Sequence, residues 1–252
     1  MSRDDRAAKG RLAVALDLPD RAAILAMARR VAPEAGFLKL GLEAFVAEGP
    51  SLVREIVEGG TRVFLDLKLH DIPNTVGRAA AAAARTGAAI VNCHAAGGTG
   101  MMNAFAEGAR DAAAQAGLPA PKLVAVTVLT SLDAAGIHAI GLAGSPREAA
   151  LRLAVLAREA GLDGVVCSPE EIAAIRGACG TDFFLVVPGV RPGGTASGDQ
   201  KRIATPGDAL RWGADLLVVG RPITGAPDPS AAARAIVAEM AAALAPDPDP
   251  AP

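Results

Sequence analysis

Short runs of apolar residues recur along the chain and alternate with longer stretches rich in alanine, arginine and glutamate. The runs contain many Val, Ile and Leu residues with little polar alternation, which is typical of parallel strands that are buried on both faces. The pattern therefore predicts eight buried strands. They occupy residues 12–16, 37–40, 62–67, 89–93, 122–126, 164–167, 183–187 and 215–219.

The stretches between the strands have the length and composition of helices. Alternation of strands and helices indicates βα units and a parallel sheet. Eight repeats that end in a helix favour a closed (β/α)8 TIM barrel over an open, doubly wound sheet. We expect one domain over residues 1–245, followed by a disordered tail rich in Pro and Asp over residues 246–252. The helical stretches include residues 20–31, 75–86, 99–116, 146–159, 169–179, 205–212 and 230–244.

The composition narrows the possible classes of function. Of the 252 residues, 51% are hydrophobic and the formal net charge is -2, which argues against a general nucleic-acid binder. No apolar run reaches the ~18 residues needed to span a bilayer, and the N-terminus has no apolar segment of signal-peptide length. Cys93, Cys167 and Cys179 show no metal-ligand spacing and are predicted to be buried, reduced thiols. We therefore expect a cytoplasmic protein that binds neither nucleic acid nor membrane.

Charged residues gather where several predicted strands end, which is the face of such barrels that carries catalytic groups. Asp66 and Lys68 are two residues apart on the third strand, so their side chains point to the same face, into the barrel mouth. Asp71 follows on the loop, and Lys39 and Asp17 end the neighbouring strands. Two charges on one strand face can be a structural ion pair. A longer array of buried charges contributes little stability, because the cost of desolvating the charged groups offsets much of their mutual attraction. The array suits a site that holds one lysine as an ammonium.

One segment and its companions resemble a known family. DLKLHDIPNTV (residues 66–76) is similar to the DxKxxDIPxT signature of the orotidine 5′-phosphate decarboxylases. The ordered set of matching strings spans residues 12–224 and is far more specific than any one string. The other strings are VALD with Asp17, FLKLG with Lys39, HAAGG from His94, VTVLTSLD with Thr130 and Ser131, VPGVRP with Pro188 and Arg191, GDQKRIATP with Gln200, and VVGRPIT with Gly220 and Arg221.

The resemblance implies an enzyme that decarboxylates orotidine 5′-phosphate to uridine 5′-phosphate (UMP), the last step of de novo pyrimidine synthesis, without a metal or other cofactor. The electron pair left at C6 lies in the ring plane, so the π system cannot delocalise it. By the resemblance, Lys68 stabilises this carbanion as an ammonium and then protonates it. Asp66 lies beside the leaving carboxylate. Lys39 and Asp71 complete the array, and they bind the ribose with Asp17.

The phosphate of the substrate has candidate partners after the last two strands, where barrels of this kind often bind phosphate. Gly220 lets the backbone approach closely, and Arg221 offers two N–H groups to a phosphate. The long loop over residues 189–200 is rich in Gly, Ser and Thr and is predicted to be a lid. Arg191 and Gln200 are expected to contact the ligand from this loop.

Two further groups of residues follow from the resemblance. Thr130 and Ser131 address the pyrimidine edge and the ribose, and Pro188 also borders the substrate. Asp71 and Thr75 reach the site of a neighbouring subunit. The active unit is therefore expected to be a homodimer.

Two other functions stay open at this point. A related sugar-phosphate decarboxylase or synthase would use magnesium and a carboxylate at the end of the second strand, where this chain has Lys39. A non-catalytic phosphate-binding barrel would not need Lys68 between two carboxylates. His94, His70 and His138 are interpreted as structural or exposed side chains, and their scatter predicts no metal site.

Overall fold

A closed barrel of eight parallel strands forms the centre of the molecule, as the sequence pattern predicts. The computed structural model describes residues 3–192 and 204–245. Each strand pairs in parallel with the next, and the last pairs with the first, so the sheet closes on itself. The strands are β1 (Leu12–Ala15), β2 (Phe37–Leu40), β3 (Val63–Leu69), β4 (Ile90–His94), β5 (Lys122–Val126), β6 (Gly164–Val166), β7 (Phe184–Pro188) and β8 (Leu216–Val219).

Helices cover the outside of the barrel and include all those predicted. The additional helices are α1 (Arg3–Gly10), α3 (Leu42–Glu58), α6 (Ala134–Ala139) and α10 (Arg221–Thr224), and two of them lack a regular helical pattern in the sequence. Gly49, with φ of 66°, and Pro50 kink α3, while α10 is a single turn. Within the described residues, no helix is long and apolar enough to cross a bilayer. The helices are α1 (Arg3–Gly10), α2 (Arg21–Val31), α3 (Leu42–Glu58), α4 (Pro73–Ala84), α5 (Gly98–Gln115), α6 (Ala134–Ala139), α7 (Pro146–Glu159), α8 (Ile172–Cys179), α9 (Pro206–Arg211), α10 (Arg221–Thr224) and α11 (Pro229–Leu244).

Local side-chain chemistry fixes where several helices begin. Ser145 and Glu148 form a reciprocal capping box at the start of α7, in which each side chain accepts from the other residue's backbone N–H. Pro73 opens α4, where its ring presets φ and its missing N–H costs nothing. Because only three residues separate the end of β3 from Pro73, the loop that carries Asp71 is short.

Two apolar layers hold the barrel together. The outer layer packs the strands against the helices and includes Leu65 of β3. Successive side chains of a strand point to opposite faces, so the alternate residues face inward. Inward-facing polar side chains nearer the carboxyl ends of the strands therefore lie above a layer of packed apolar side chains, at the barrel mouth. The inner cluster that forms this layer consists of Ala13, Phe37, Phe64, Ile90, Val124, Val186 and Leu216.

Helices α4 and α5 approach each other with backbone against backbone. A methyl group placed on Gly108 of α5 would lie 2.2 Å from the carbonyl oxygen of Gly77 in α4. A methyl group on Gly77 would lie 3.0 Å from the carbonyl oxygen of Ala104. The absence of a side chain at both glycines is therefore what permits this packing.

The substitution Gly108→Ala should lower the free energy of unfolding by about 1–3 kcal/mol, because the methyl group would force α4 and α5 apart. Urea unfolding followed by circular dichroism measures the change. Gly177→Ala is the control. Gly177 also lies in a helix, but a methyl group there meets nothing within 4 Å, so stability should rise by roughly 0.5–1 kcal/mol. Equal stability of the two variants would contradict this account of the contact.

Candidate active site

A cavity of about 460 Å³ opens at the carboxyl ends of the strands. Its lower wall is apolar, with Phe64, Val126, Val166 and Val218. Most of the site residues predicted from sequence border this one cavity, as expected from the position of catalytic groups in such barrels. They are Asp17, Lys39, Asp66, Lys68, Thr130, Pro188, Arg191, Gly220 and Arg221.

Four charged side chains of alternating sign meet in the cavity. The Nζ atom of Lys68 lies 2.7 Å from Oδ1 of Asp66, and the Nζ atom of Lys39 lies 3.5 Å from Oδ2 of the same carboxylate. Lys39 Nζ also donates to Asp17 Oδ1 at 3.1 Å. Lys39 and Asp66, in the middle of the array, are buried, whereas Asp17 is exposed. The charges therefore form a chain that leads from solvent into the barrel and back to the cavity at Lys68.

Asp66 keeps its charge although it is buried. Burial pushes the pKa of its carboxyl upward, but the ammonium groups of Lys39 and Lys68, with hydrogen bonds from Lys68 and Asn92, outweigh burial and hold the pKa below its ordinary value. Asp66 is therefore a carboxylate at neutral pH. It fixes the direction of the Lys68 ammonium, because a hydrogen bond between two ionised groups is short and strong.

The strand that carries Asp66 and Lys68 is irregular between them. It pairs with β4 at Leu65 and again at Leu69, but β4 advances by only two residues between these pairs. Three residues of β3 therefore face one residue, Asn92. Lys68 has φ of 52°, in the left-handed region that residues with a side chain rarely adopt. The prediction that Asp66 and Lys68 share a face is confirmed, but through a bulge and not through a regular pleat.

Asn92 is absent from the site residues predicted from sequence. Its Nδ2 donates to Asp66 Oδ1, and its Oδ1 accepts from the backbone N–H of Lys68, both at 2.7 Å. The residue is only 1% exposed. A signal was present in the sequence, because Ile90, Asn92 and His94 share the inward face of β4 and an amide inside a barrel requires polar partners.

The remaining predicted residues lie outside the cavity wall. Asp71 and Thr75 are exposed, on the loop after β3 and in the first turn of α4. Asp71 Oδ1 accepts from the N–H of Ile72 at 2.6 Å. Ser131 is exposed as well. Outside the described residues lie residues 193–203, which include Gln200 and most of the predicted lid. The predicted tail over residues 246–252 also lies outside them.

The loops after β7 and β8 bring two arginines to the same cavity. Val190 forms a parallel bridge with Ala204, and the N–H of Arg191 donates to the Ala204 carbonyl at 3.0 Å. This bridge joins the described chain on either side of residues 193–203. After β8 the chain turns at Gly220 directly into α10, whose first residue is Arg221. The two guanidinium-bearing residues suit an anionic part of a ligand.

Burial favours the neutral forms of His94 and Cys167 near the cavity. Desolvation, together with the charges of His70 and Lys68, lowers the pKa of His94. Within the described part of the chain, the His94 ring packs near the His70 ring, with 5.3 Å between the two centroids. Cys167 borders the cavity, but burial raises its pKa well above the usual range. Among the described residues, no group of three or more His, Cys, Asp or Glu side chains is placed to hold a metal ion.

A family model matches most of this chain. The model of the Orotidine 5′-phosphate decarboxylase / HUMPS family matches residues 10–236. The chain belongs to this family. The family resemblance that the motifs indicate is therefore confirmed.

Relatives within the orotidine 5′-phosphate decarboxylase family match nearly the whole chain. The orotidine 5′-phosphate decarboxylase of Moorella thermoacetica is 56% identical over 234 residues, which cover 92% of this chain and 93% of that protein. That of Anaeromyxobacter sp. (strain K) is 58% identical over 230 residues, covering 91% and 98%. The crystal structure of orotidine 5′-phosphate decarboxylase from Lactobacillus acidophilus superposes with a TM-score of 0.79 at 38% identity, covering 91% of this chain and 98% of that one.

Proposed function

We propose that this family member decarboxylates orotidine 5′-phosphate to UMP and CO2, with the Lys68 ammonium in the role that a cofactor plays elsewhere. The observation that carries the proposal is the position of this ammonium, held at the cavity by a buried carboxylate that a second ammonium also faces. The high identity to relatives of that name supports the same substrate.

Lys68 is placed to meet the main difficulty of the reaction. Cleavage of the bond between C6 and the carboxylate leaves both electrons at C6, in the plane of the ring. A fixed ammonium stabilises this charge without having to reorganise during the reaction. A proton of Lys68 then moves to C6, which completes UMP while CO2 departs. The resulting amine regains a proton from solvent before the next turnover.

The buried part of the array prepares this step. Asp66 holds Lys68 with one carboxylate oxygen and faces Lys39 with the other. In the proposed complex, Asp66 lies beside the leaving carboxylate, and the repulsion between the two ends when neutral CO2 forms. Apolar walls at Val126 and Val166 keep water away from the developing charge, which strengthens its attraction to the ammonium.

The other parts of the substrate are assigned to the rim of the cavity. We assign the phosphate to Arg221, the adjacent Gly220 and Arg191, because guanidinium groups bind phosphate through paired N–H donors. Thr130 and Ser131 are assigned to the pyrimidine edge and the ribose. Binding energy from the phosphate, far from C6, then helps to hold the reacting carbon against Lys68. A contact from Gln200 stays a prediction.

We propose further that two copies of the chain form the active unit. Asp71 and Thr75 are exposed and lie outside the cavity of their own chain. Between them in sequence, Ile72 is 66% exposed, and the apolar Leu42 and Val46 at the start of the neighbouring α3 are exposed as well. Helices α3 and α4 both begin at the carboxyl end of the barrel, so these exposed apolar side chains lie at the same end as Asp71 and Thr75, which suits an interface. In the proposed dimer, Asp71 and Thr75 enter the partner's cavity, where Asp71 extends the charge array.

Two alternative functions fit the site less well. A magnesium-dependent sugar-phosphate enzyme needs a carboxylate at the end of the second strand. Lys39 occupies that position, and its ammonium, which faces Asp17 and Asp66, repels a metal ion. A barrel that only binds phosphate would have no use for the Lys68–Asp66 pair, whose burial carries a desolvation cost.

The expected cytoplasmic location remains part of this proposal. The three cysteines are free and buried, as predicted. Free thiols are usual in a reducing compartment, where disulfides seldom persist.

Release of labelled CO2 from carboxyl-labelled orotidine 5′-phosphate, measured with EDTA present, tests the reaction. The wild type should release CO2, and Lys68→Ala should slow turnover by about 10,000-fold or more, because both the charge stabilisation and the proton donor are lost. UMP binding should change little. Lys122→Ala is the control, since Lys122 lies over the Phe184 ring at the opposite end of the barrel. Near-normal turnover of Lys68→Ala, or activity only with magnesium and a sugar phosphate, would contradict the proposal.

The substitution Arg221→Ala should weaken UMP binding by about 10- to 100-fold, because a charge-assisted pair with the phosphate is lost. Uridine, which lacks the phosphate, should bind both proteins equally. Titration calorimetry with the two ligands measures the difference. Arg211→Ala is the control, because its guanidinium pairs with Asp208 on the surface of α9. Equal weakening for UMP and uridine would remove Arg221 from the phosphate site.

Co-expression of Lys68→Ala and Asp71→Ala chains tests the shared site. Each variant alone should be nearly inactive. Random pairing makes half of the dimers mixed, and each mixed dimer has one site in which both residues are intact, so activity should recover to about a quarter of the wild-type value. If Asp71 serves its own chain, every site lacks one of the two residues and mixing restores nothing.

A further inference from the structure

A buried amide joins the two residues of the proposed catalytic pair, Asp66 and Lys68. Asn92 lies on the inward face of β4 and is 1% exposed. Its Nδ2 donates to Asp66 Oδ1 and its Oδ1 accepts from the Lys68 N–H, each at 2.7 Å. Buried amides are retained in proteins where their donors and acceptors are satisfied, and both partners here belong to the array.

The bulge of β3 brings the backbone N–H of Lys68 to the side chain of Asn92, which accepts its hydrogen bond. Regular pairing continued from Leu65 and Val91 would place Lys68 opposite His94, two residues beyond Asn92, or about 7 Å along the strand. Instead, the N–H of Lys68 reaches the side chain of Asn92, and Lys68 adopts a φ of 52°. A residue persists in this conformation only where its surroundings hold it there. The hydrogen bond to Asn92 is such a restraint.

The other end of the amide restrains the carboxylate. Asp66 Oδ1 accepts from Asn92 Nδ2 and from Lys68 Nζ, both at 2.7 Å. Oδ2 is thereby left facing Lys39 at 3.5 Å. Rotation of the carboxylate would break the bond to Asn92 and change the direction in which Lys68 is held. One side chain therefore sets both the backbone of the lysine and the orientation of its counter-ion.

We propose that Asn92 is a positioning residue for the decarboxylation, acting through Lys68 and Asp66. The inference rests on the proposed function. Without Asn92, Lys68 can relax towards the level of His94 and Asp66 can turn, so the ammonium no longer meets C6. Displacement of a reacting group by about 1 Å lowers the rate far more than it lowers binding. Turnover should therefore depend on Asn92 much more strongly than substrate affinity does.

The charge of Asp66 supplies a second readout. The charged and titratable groups that face it are Lys39 on β2, Lys68 on β3 and His94 on β4, with Asp17 beyond Lys39. Loss of the Asn92 amide removes one hydrogen bond that holds the pKa of Asp66 below its ordinary value. As pH falls, the carboxylate then becomes protonated earlier, so the acid side of the kcat profile should move to higher pH. Measurement in a His94→Gln background removes the imidazole from the profile.

The test compares Asn92→Ala and Asn92→Asp with Thr127→Val in steady-state turnover of orotidine 5′-phosphate. We expect Asn92→Ala to lower kcat by about 10- to 1,000-fold and to change KM by less than about threefold. Asn92→Asp keeps the shape of the side chain but turns a carboxylate oxygen towards Asp66. It should lose at least as much turnover, because two carboxylates then compete for one ammonium.

Thr127→Val is the matched control for the loss of a buried side-chain hydrogen bond. Thr127 is buried and donates to the Val166 carbonyl at 3.0 Å, outside the charge array. It should lose stability but keep the wild-type kcat and pH profile. UMP binding and circular dichroism report the folded fraction of every variant, and Asn92→Asp carries the comparison if Asn92→Ala does not fold.

The outcomes separate this inference from the proposed function. If the wild type releases no CO2, the proposed function fails and the positioning role fails with it. If the wild type is active and the folded Asn92 variants keep its kcat and its pH profile, Asn92 is only structural and the inference alone is overturned. A change in kcat no larger than that of Thr127→Val leads to the same conclusion.

Discussion

A carboxylate buried inside a barrel must be surrounded by donors, and this requirement organises the mouth of the protein. Asp66 accepts from Lys68 and Asn92 and faces Lys39. Burial without these partners would neutralise it by protonation. The partners come from three consecutive strands, β2, β3 and β4, so the charge of Asp66 depends on the correct pairing of those strands. The Asp66 carboxylate that holds Lys68 for the proposed chemistry is therefore charged only when these three strands are correctly paired.

The barrel places this charge on an apolar floor by a simple repetition along its strands. Every second residue faces inward, so an apolar residue in one layer is followed by a polar residue in the layer above. The apolar layer below lowers the local dielectric constant and strengthens each charge interaction at the mouth. The pairs are Phe37 and Lys39 on β2, Phe64 and Asp66 on β3, and Ile90 and Asn92 on β4.

The strands were predictable because buried parallel strands leave a plain apolar signature, and all eight are found within two residues of their expected limits. The cavity position of Lys39 and of the Asp66–Lys68 pair also followed from strand periodicity and the family motifs. The bulge at Lys68 did not follow, because it depends on a hydrogen bond from another strand, which no local pattern contains. The kink at Gly49 broke the helical pattern of α3. The proposed reach of Asp71 into a partner's cavity involves two chains, so it was inferred from the family resemblance and not from strand periodicity.

The backbone contact between α4 and α5 has a consequence for the proposed dimer. α4 starts directly after the short loop that carries Asp71, and Gly77 and Gly108 bring it against its neighbour with no side chain between them. The loop is therefore attached to a stiff support within a single chain. A surface that is already ordered loses little conformational freedom on docking, so the proposed dimer would form with little of the entropic cost that commonly slows and weakens association.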